Sequence, residues 1–255
     1  MVVAGIFGDR TLALVDCFDW DGDVMLDDGD ELLERYRHVR EINRLLLRDL
    51  VTLVPREAIV SCARQLGLWE DGRLVFENEQ DASILYDYCI YDWRAEEDNL
   101  ARKALDDAPP PPEDSDEYDV LESMANARYA LMQVGTVVEG VGIEAYDSLH
   151  LSRVTLIDIG LSQCVSENAV IASRIIPFRD FVMTSGVPLA AGEDALAQIK
   201  GYLEERLGGG EDWFMDLDDT RQSEITAGII RILLDTGASQ NVRYEEPSHE
   251  RESHG

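Results

Sequence analysis

The sequence predicts an α+β protein in which an N-terminal helical domain is followed by a small antiparallel β-barrel or bent sheet flanked by C-terminal helices. Three observations support this fold class. Apolar residues recur every three or four positions in the first part of the chain, and this spacing returns after residue 193. Short β-branched runs lie between residues 132 and 184, where the period changes to two. Four consecutive prolines, residues 109–112, separate the first helical region from the rest.

Three helices are predicted before the prolines. The first begins near Asp30, and its apolar stripe consists of Leu32, Leu33, Tyr36, Val39, Ile42, Leu46, Leu50 and Leu53. Pro55 suits the first turn of a second helix, and Gly67 is typical of the left-handed residue that ends one. A third helix is predicted around the apolar positions near residue 84, with a continuation to Leu105.

The elements after the prolines are shorter. A brief helix is predicted near residues 118–128, and strands are predicted at 132–138, 143–146, 154–159, 169–176 and 181–184. Two helices follow, at 193–207 and from 219 or 220 to 237. The predicted domains are therefore a helical domain at 1–107, an acidic polyproline linker at 108–117, a barrel-like domain with C-terminal helices at 118–237, and a flexible tail at 238–255.

The charge balance limits the class of partner. Asp and Glu number 52 against 22 Lys and Arg, which gives a formal net charge of -30 at pH 7. Such a surface repels phosphate backbones and anionic lipids, so we expect neither nucleic-acid binding through a basic surface nor membrane binding. No run approaches the roughly 20 apolar residues of a membrane-spanning helix, and the first residues, MVVAGIFGDR, contain no basic leader. We therefore expect a cytoplasmic protein.

An acidic stretch near the N-terminus, DWDGDVMLDDGDE at residues 19–31, introduces the alternative of a calcium site. The candidate ligands are Asp19, Asp21, Asp23, Asp27 and Asp30. Counted from the first of them, however, position 6 of the loop is Val24 where a calcium loop has glycine, and position 12 is aspartate where it has glutamate. We therefore predict a solvated loop and no cofactor, and we keep a calcium- or metal-binding regulatory protein as the alternative.

The cysteines form no recognisable metal or disulfide pattern. Cys17, Cys62, Cys89 and Cys164 are scattered without a C-x-x-C pair, which is typical of reduced and mostly buried side chains. One histidine, His150, precedes Cys164 by fourteen positions. A hydrolase of unknown substrate that uses Cys164 or Asp158 is therefore a further alternative.

Several segments in the middle of the chain resemble one known family. They are ARQLG at 63–67, LVF at 74–76, LYDY at 85–88, YDW at 91–93, RYAL at 128–131, LIDIGLS at 156–162 and FVMTSGVPL at 181–189. Over roughly residues 32–190 these segments resemble a bacterial family of largely uncharacterised proteins. Members of that family often carry a SEC-C zinc knuckle, like that at the C-terminus of the SecA translocase. The knuckle itself is absent, since no cysteine follows Cys164. The resemblance therefore implies membership of such a family, but it assigns this chain neither a zinc site nor a catalytic signature.

Two sets of residues form the predicted interaction surface. The first is the aromatic set of the third helix, Tyr86, Tyr88, Tyr91 and Trp93, although aromatic residues at helical spacing are also common in cores. The second set is Asp158, Ser162, Thr184 and Ser185.

The second set belongs to LIDIGLS, interpreted as a strand ending in a turn, and to FVMTSG, interpreted as a strand that enters a Gly-Pro corner. These four residues are predicted to meet at one rim of the barrel, and their alternative role is to form turn hydrogen bonds. We therefore predict a non-enzymatic cytoplasmic protein-interaction or adaptor protein with a strongly anionic surface and a protein partner that the sequence does not name.

Overall fold

The computed structural model describes residues 29–94, 98–106, 110–185, 187–207 and 214–238, which form an α+β fold. The helices are α1 (Gly29–Leu53), α2 (Arg56–Leu66), α3 (Glu79–Tyr91), α4 (Leu100–Asp106), α5 (Asp116–Ala125), α6 (Ile159–Cys164), α7 (Glu193–Leu207) and α8 (Asp219–Asp235). The strands are β1 (Trp69–Glu70), β2 (Arg73–Leu74), β3 (Arg128–Val138), β4 (Gly142–Asp147), β5 (Ser152–Ile157), β6 (Val170–Pro177), β7 (Val182–Thr184) and β8 (Leu189–Ala190). Among the described helices, none has the length and apolar character that crossing a membrane requires.

The first two helices follow the local signals of the sequence. The apolar stripe of α1 packs inward, where Tyr36 and Leu50 are buried, except at its last residue, because Leu53 is 58% exposed. The end of α2 is the predicted left-handed glycine, because Gly67 has a φ of 78° and its N–H donates to the carbonyls of Ala63 and Arg64. Both helix assignments are confirmed.

Helix α3 begins with a capping box and ends earlier than predicted. The Asn78 side chain accepts backbone N–H groups of the first turn, and the Asp81 carboxylate accepts the N–H of Asn78 in return. The predicted continuation to Leu105 is wrong, because α3 ends at Tyr91 and a separate helix, α4, follows. The side chain of Asn99 accepts a backbone N–H at the start of α4, which gives that helix its own N-terminus.

Five strands close into a barrel in the order β3-β4-β5-β7-β6, and β6 pairs back with β3. Strand β8 pairs with β6 beside this ring. The prediction of an antiparallel sheet is wrong at one point, because β5 and β7 run parallel where Leu156 pairs with Val182. The reason is geometric: an odd number of strands cannot alternate in direction all the way around a closed ring, so one neighbouring pair must be parallel.

Two predicted boundaries near the barrel also change. Helix α5 ends at Ala125, and Arg128 already belongs to β3. The strand predicted at 154–159 ends at Ile157, because the Asp158 side chain accepts the N–H of Leu161 at 3.0 Å and starts α6. The segment LIDIGLS is therefore a strand, a cap and a short helix, and the interpretation as a strand ending in a turn is corrected.

The hydrophobic core joins residues from both sides of the prolines. One cluster contains Cys62 of α2, Tyr88 of α3, Leu131 of β3 and Ile229 of α8, and the barrel interior forms a cluster of its own. Residues 110–115 of the predicted linker lie outside helices and strands. The division of the chain into two domains stays a prediction, and most of the predicted tail lies outside the described residues.

The contact between α7 and α8 requires a glycine. A Cβ atom on Gly228 would lie 2.2 Å from Cζ of Tyr202, so the ring packs directly against the α8 backbone. We expect Gly228→Ala to lower the free energy of unfolding by about 1–3 kcal/mol, because the ring must move outward. Denaturant unfolding measures this loss, with Gly201→Ala of α7 as the control, since a Cβ there meets nothing within 4 Å. The loss should vanish in a Tyr202→Ala background, and an undiminished loss there would contradict the contact.

Candidate functional site

A cleft lies between α1, α3 and the segment that follows β7. Its volume is about 370 Å³, which falls within the range of ligand pockets. The lining residues are Leu47, Val51, Ala82, Ser83, Tyr86, Asp87, Ile90, Ser185 and Val187. These residues come from three segments that are distant in sequence, so the fold has to form before the cleft exists.

Apolar walls and a few polar groups make up the cleft. Leu47 and Val51 of α1 and Ile90 of α3 supply apolar surface. Ser185 contributes a buried Oγ that has no hydrogen-bond partner among the described residues. A buried polar atom left unpaired costs free energy. Apolar walls with a small number of polar groups are typical of binding sites.

Behind Asp87, a buried arginine joins the helices to the barrel. The Nε of Arg174 lies 3.3 Å from Oδ2 of Asp87, its Nη2 contacts Asp92, and its side chain is 3% exposed. The guanidinium also lies over the rings of Tyr91 and Tyr129, at 5.2 Å and 5.3 Å from their centroids. This ion cluster ties β6 to α3 and fixes the Asp87 carboxylate at the cleft.

Burial sets the protonation of the ion cluster. Burial raises the pKa of Asp92 above its ordinary value, and the nearby Arg174 only partly opposes this change. Burial lowers the pKa of Arg174, but Asp92 and Asp87 more than offset the effect, so its pKa is raised and the guanidinium stays charged. Burial also raises the pKa of Tyr91 and of Tyr129, which keeps both hydroxyls neutral.

The predicted aromatic surface divides between the cleft and the core. Tyr86 is half-buried and lines the cleft. Trp93 is half-buried and packs against the core. Tyr88 and Tyr91 are 1% and 2% exposed, so burial removes them from any contact surface. The Tyr88 hydroxyl lies 2.7 Å from Oε1 of Gln65, which satisfies it inside the protein.

Most of the predicted rim residues form a buried corner of the barrel. The Oγ1 of Thr184 donates to Asp158, and both side chains are buried. Arg40 of α1 donates to the Thr184 carbonyl, and its Nη2 lies 3.9 Å from Oδ2 of Asp158. The Oγ of Ser162 accepts a backbone N–H of the β3–β4 turn at 3.0 Å. The contacts of Arg40 join α1 to the barrel. Ser185, the next residue after Thr184, lines the cleft.

Cys164 and His150 have separate surroundings. The Sγ of Cys164 donates to the carbonyls of Gly160 and Leu161 at 3.3 Å and 3.4 Å. Burial, and to a lesser degree Asp158, raises the pKa of this thiol, which disfavours the thiolate that a nucleophile needs. The Nδ1 of His150 instead lies 2.9 Å from the buried carboxylate of Asp147. Within the described part of the chain, no contact joins Cys164 to His150.

The predicted calcium ligands fall almost entirely outside the described residues. Asp19, Asp21, Asp23 and Asp27 precede residue 29, and for Asp30 only its place in α1 is described. In the described ranges, no group of three or more His, Cys, Asp or Glu side chains could hold a metal ion. The calcium site stays a prediction.

The sequence interpretation overlooked Asp87 and Arg174. One signal for Arg174 was present, since it stands in the middle of VIASRIIP, a strand buried along nearly its whole length. A charged residue at such a position requires a buried partner of opposite charge. The sequence did not indicate which of 52 acidic residues would be that partner.

Comparison with known proteins identifies the family of this chain. A family model described as a family of unknown function, DUF7986, matches residues 30–205. This chain belongs to that family. The match includes the whole of α1 after its first residue and every residue that lines the cleft. Membership of an uncharacterised family is therefore confirmed. The searches of curated proteins and of solved structures found no match.

Proposed function

We propose that this DUF7986 protein is a non-enzymatic, cytoplasmic interaction or adaptor protein that binds a segment of a partner protein in the cleft between α1 and α3. One observation supports the cleft as the site. Tyr86 and Ser185, which come from the two residue sets predicted to make contact, line the same cleft. We also propose that the chain is related to the bacterial proteins that often carry a SEC-C zinc knuckle, although it lacks the knuckle itself.

The chemistry of the cleft favours binding over catalysis. Its described lining has two serines and one carboxylate but neither histidine nor cysteine. A serine nucleophile requires a base within hydrogen-bond distance, and the Oγ of Ser185 has no hydrogen-bond partner among the described residues. The anionic surface, with a formal net charge of -30, repels other acidic molecules and attracts partners that carry positive charge.

Two leucines on α1 offer a matched test. Leu47 lines the cleft, whereas Leu45, two residues earlier, is 45% exposed and lies outside the lining. A displayed library of random 12-residue peptides is selected on the full chain at high salt, which screens non-specific attraction to the acidic surface. Selected peptides are then measured against Leu47→Arg and Leu45→Arg.

We expect Leu47→Arg to lower the affinity for the selected peptides by about tenfold or more, because the longer side chain fills the cleft. Leu45→Arg should change the affinity by less than about twofold, although it adds the same charge to the same helix. Isothermal titration measures both affinities, and melting curves establish that both variants are folded. Peptides that lose affinity equally for both variants would contradict a site in the cleft.

A further inference from the structure

We infer that the cleft selects a partner segment that carries a basic side chain, lysine or arginine, whose stem lies along the apolar walls and whose charged end meets Asp87. This inference rests on the proposed function and specifies the chemistry of the segment. It is carried by the placement of one carboxylate among apolar side chains and by the lack of a basic residue among the nine described lining residues.

The charges of the lining favour a cation. Asp87 is the one carboxylate among the nine described lining residues, and none of the nine is basic. An anionic group such as a phosphate would therefore meet a carboxylate and no cation, on a chain whose formal net charge is -30. Opposite charges in a partly buried site attract more strongly than they do in water, so a basic group gains most in this position.

Asp87 retains the capacity to accept another donor. Its side chain is 11% exposed, and the Nε of Arg174 lies 3.3 Å from one of its oxygens, Oδ2. An ionised carboxylate has two oxygens with about four acceptor sites, so one arginine does not saturate it. Arg174 is nearly fully buried, and it therefore holds the carboxylate in a fixed orientation at the wall of the cleft.

The remaining lining matches the rest of a basic side chain. Lysine and arginine bury an aliphatic stem while their charged end seeks polar partners. Leu47, Val51 and Ile90 supply the apolar surface for such a stem. An uncharged apolar side chain would fill the same walls but would form no ion pair with Asp87.

The test uses the peptides selected from the random library and a pair of charge-removing variants. A peptide whose binding is weakened by Leu47→Arg is called cleft-dependent. Each such peptide is resynthesised with its arginine replaced by citrulline, or its lysine by norleucine, which keeps the length and removes the charge. Binding is measured to the full chain and to Asp87→Asn and Glu79→Gln. Glu79 is an exposed acid of the same helix and lies outside the cleft lining, so its variant removes an equal charge.

We expect the cleft-dependent peptides to share a basic residue, and we expect its neutral replacement to weaken binding about tenfold or more. Asp87→Asn should weaken the binding of the parent peptide by a similar factor, and the binding of the neutral peptide by less than about twofold. Glu79→Gln should change neither affinity. Cleft-dependent peptides without a basic residue, or equal effects of the two variants, would overturn this inference while the proposed function stands. A library that yields no peptide sensitive to Leu47→Arg would overturn both.

Discussion

Replacing Arg174 with methionine is expected to lower the free energy of unfolding by about 3–5 kcal/mol at neutral pH. Methionine fills much of the same volume but leaves the carboxylates of Asp87 and Asp92 without their cation. It also removes the charge that lies over the rings of Tyr91 and Tyr129. Domains of ordinary stability have about 5–15 kcal/mol to lose, so the variant should melt far below the parent protein.

The loss caused by Arg174→Met should depend on pH. In the parent protein burial already raises the pKa of Asp92, and removal of Arg174 raises it further because the main group that opposes desolvation is then gone. A carboxyl whose pKa is raised by folding stabilises the folded state in its protonated form, and this contribution is lost as the pH rises through the folded pKa. The deficit of the variant should therefore be smallest near pH 4 and grow as the pH increases. Urea unfolding of both proteins across this range measures the difference.

An exposed ion pair supplies the control for Arg174. The Nε of Arg48 lies 3.5 Å from Oδ1 of Asp49, and both side chains are at least 70% exposed. Arg48→Met makes the same substitution in α1, and it should change the free energy of unfolding by less than about 1 kcal/mol with little dependence on pH. Similar losses for the two variants would contradict the buried ion cluster.

Gly142→Ala is expected to lower the free energy of unfolding by about 3 kcal/mol or more. Gly142 is the first residue of β4 and pairs with Ile157 of β5. A Cβ atom at this position would lie 2.1 Å from the carbonyl oxygen of Leu156. Since that oxygen belongs to the backbone of a barrel strand, no side-chain rotation relieves the clash, and the two strands must separate.

Calorimetric melting of Gly142→Ala tests this claim, with Gly201→Ala as the control. A Cβ on Gly201 meets nothing within 4 Å, and alanine in a helix is more favourable than glycine by up to about 1 kcal/mol, so the control should be as stable as the parent protein or more so. A Gly142→Ala protein with unchanged melting temperature would show that β4 and β5 do not pair as described.

Local signals in the sequence were sufficient for much of the helical structure. The apolar stripe of α1 and the terminal glycine of α2 depend on residues within one or two turns of each other, so their spacing was enough to predict them. The change to a period of two also located the barrel strands. Asp158 shows the limit of this approach, because strand propensity around it concealed the cap that starts α6.

The cleft depended on contacts that no local pattern contains. Tyr86 and Ser185 were predicted as members of two separate surfaces, and Leu47 was not among the predicted site residues. These residues meet because α1 and α3 pack beside the segment after β7, and this packing is fixed by long-range pairs such as that of Arg174 with Asp87. The parallel pairing of β5 with β7 likewise follows from closure of the whole ring.

The most direct test of a binding site in the cleft is amide chemical-shift mapping of the full chain during titration with a library-selected peptide. We predict that the largest shifts occur at residues that line the cleft, including Leu47, Tyr86 and Ser185. The exposed apolar residues Leu74, in β2, and Phe76, just after it, offer a competing surface. Shifts confined to Leu74, Phe76 and their neighbours, with the cleft residues unchanged, would contradict a binding site in the cleft.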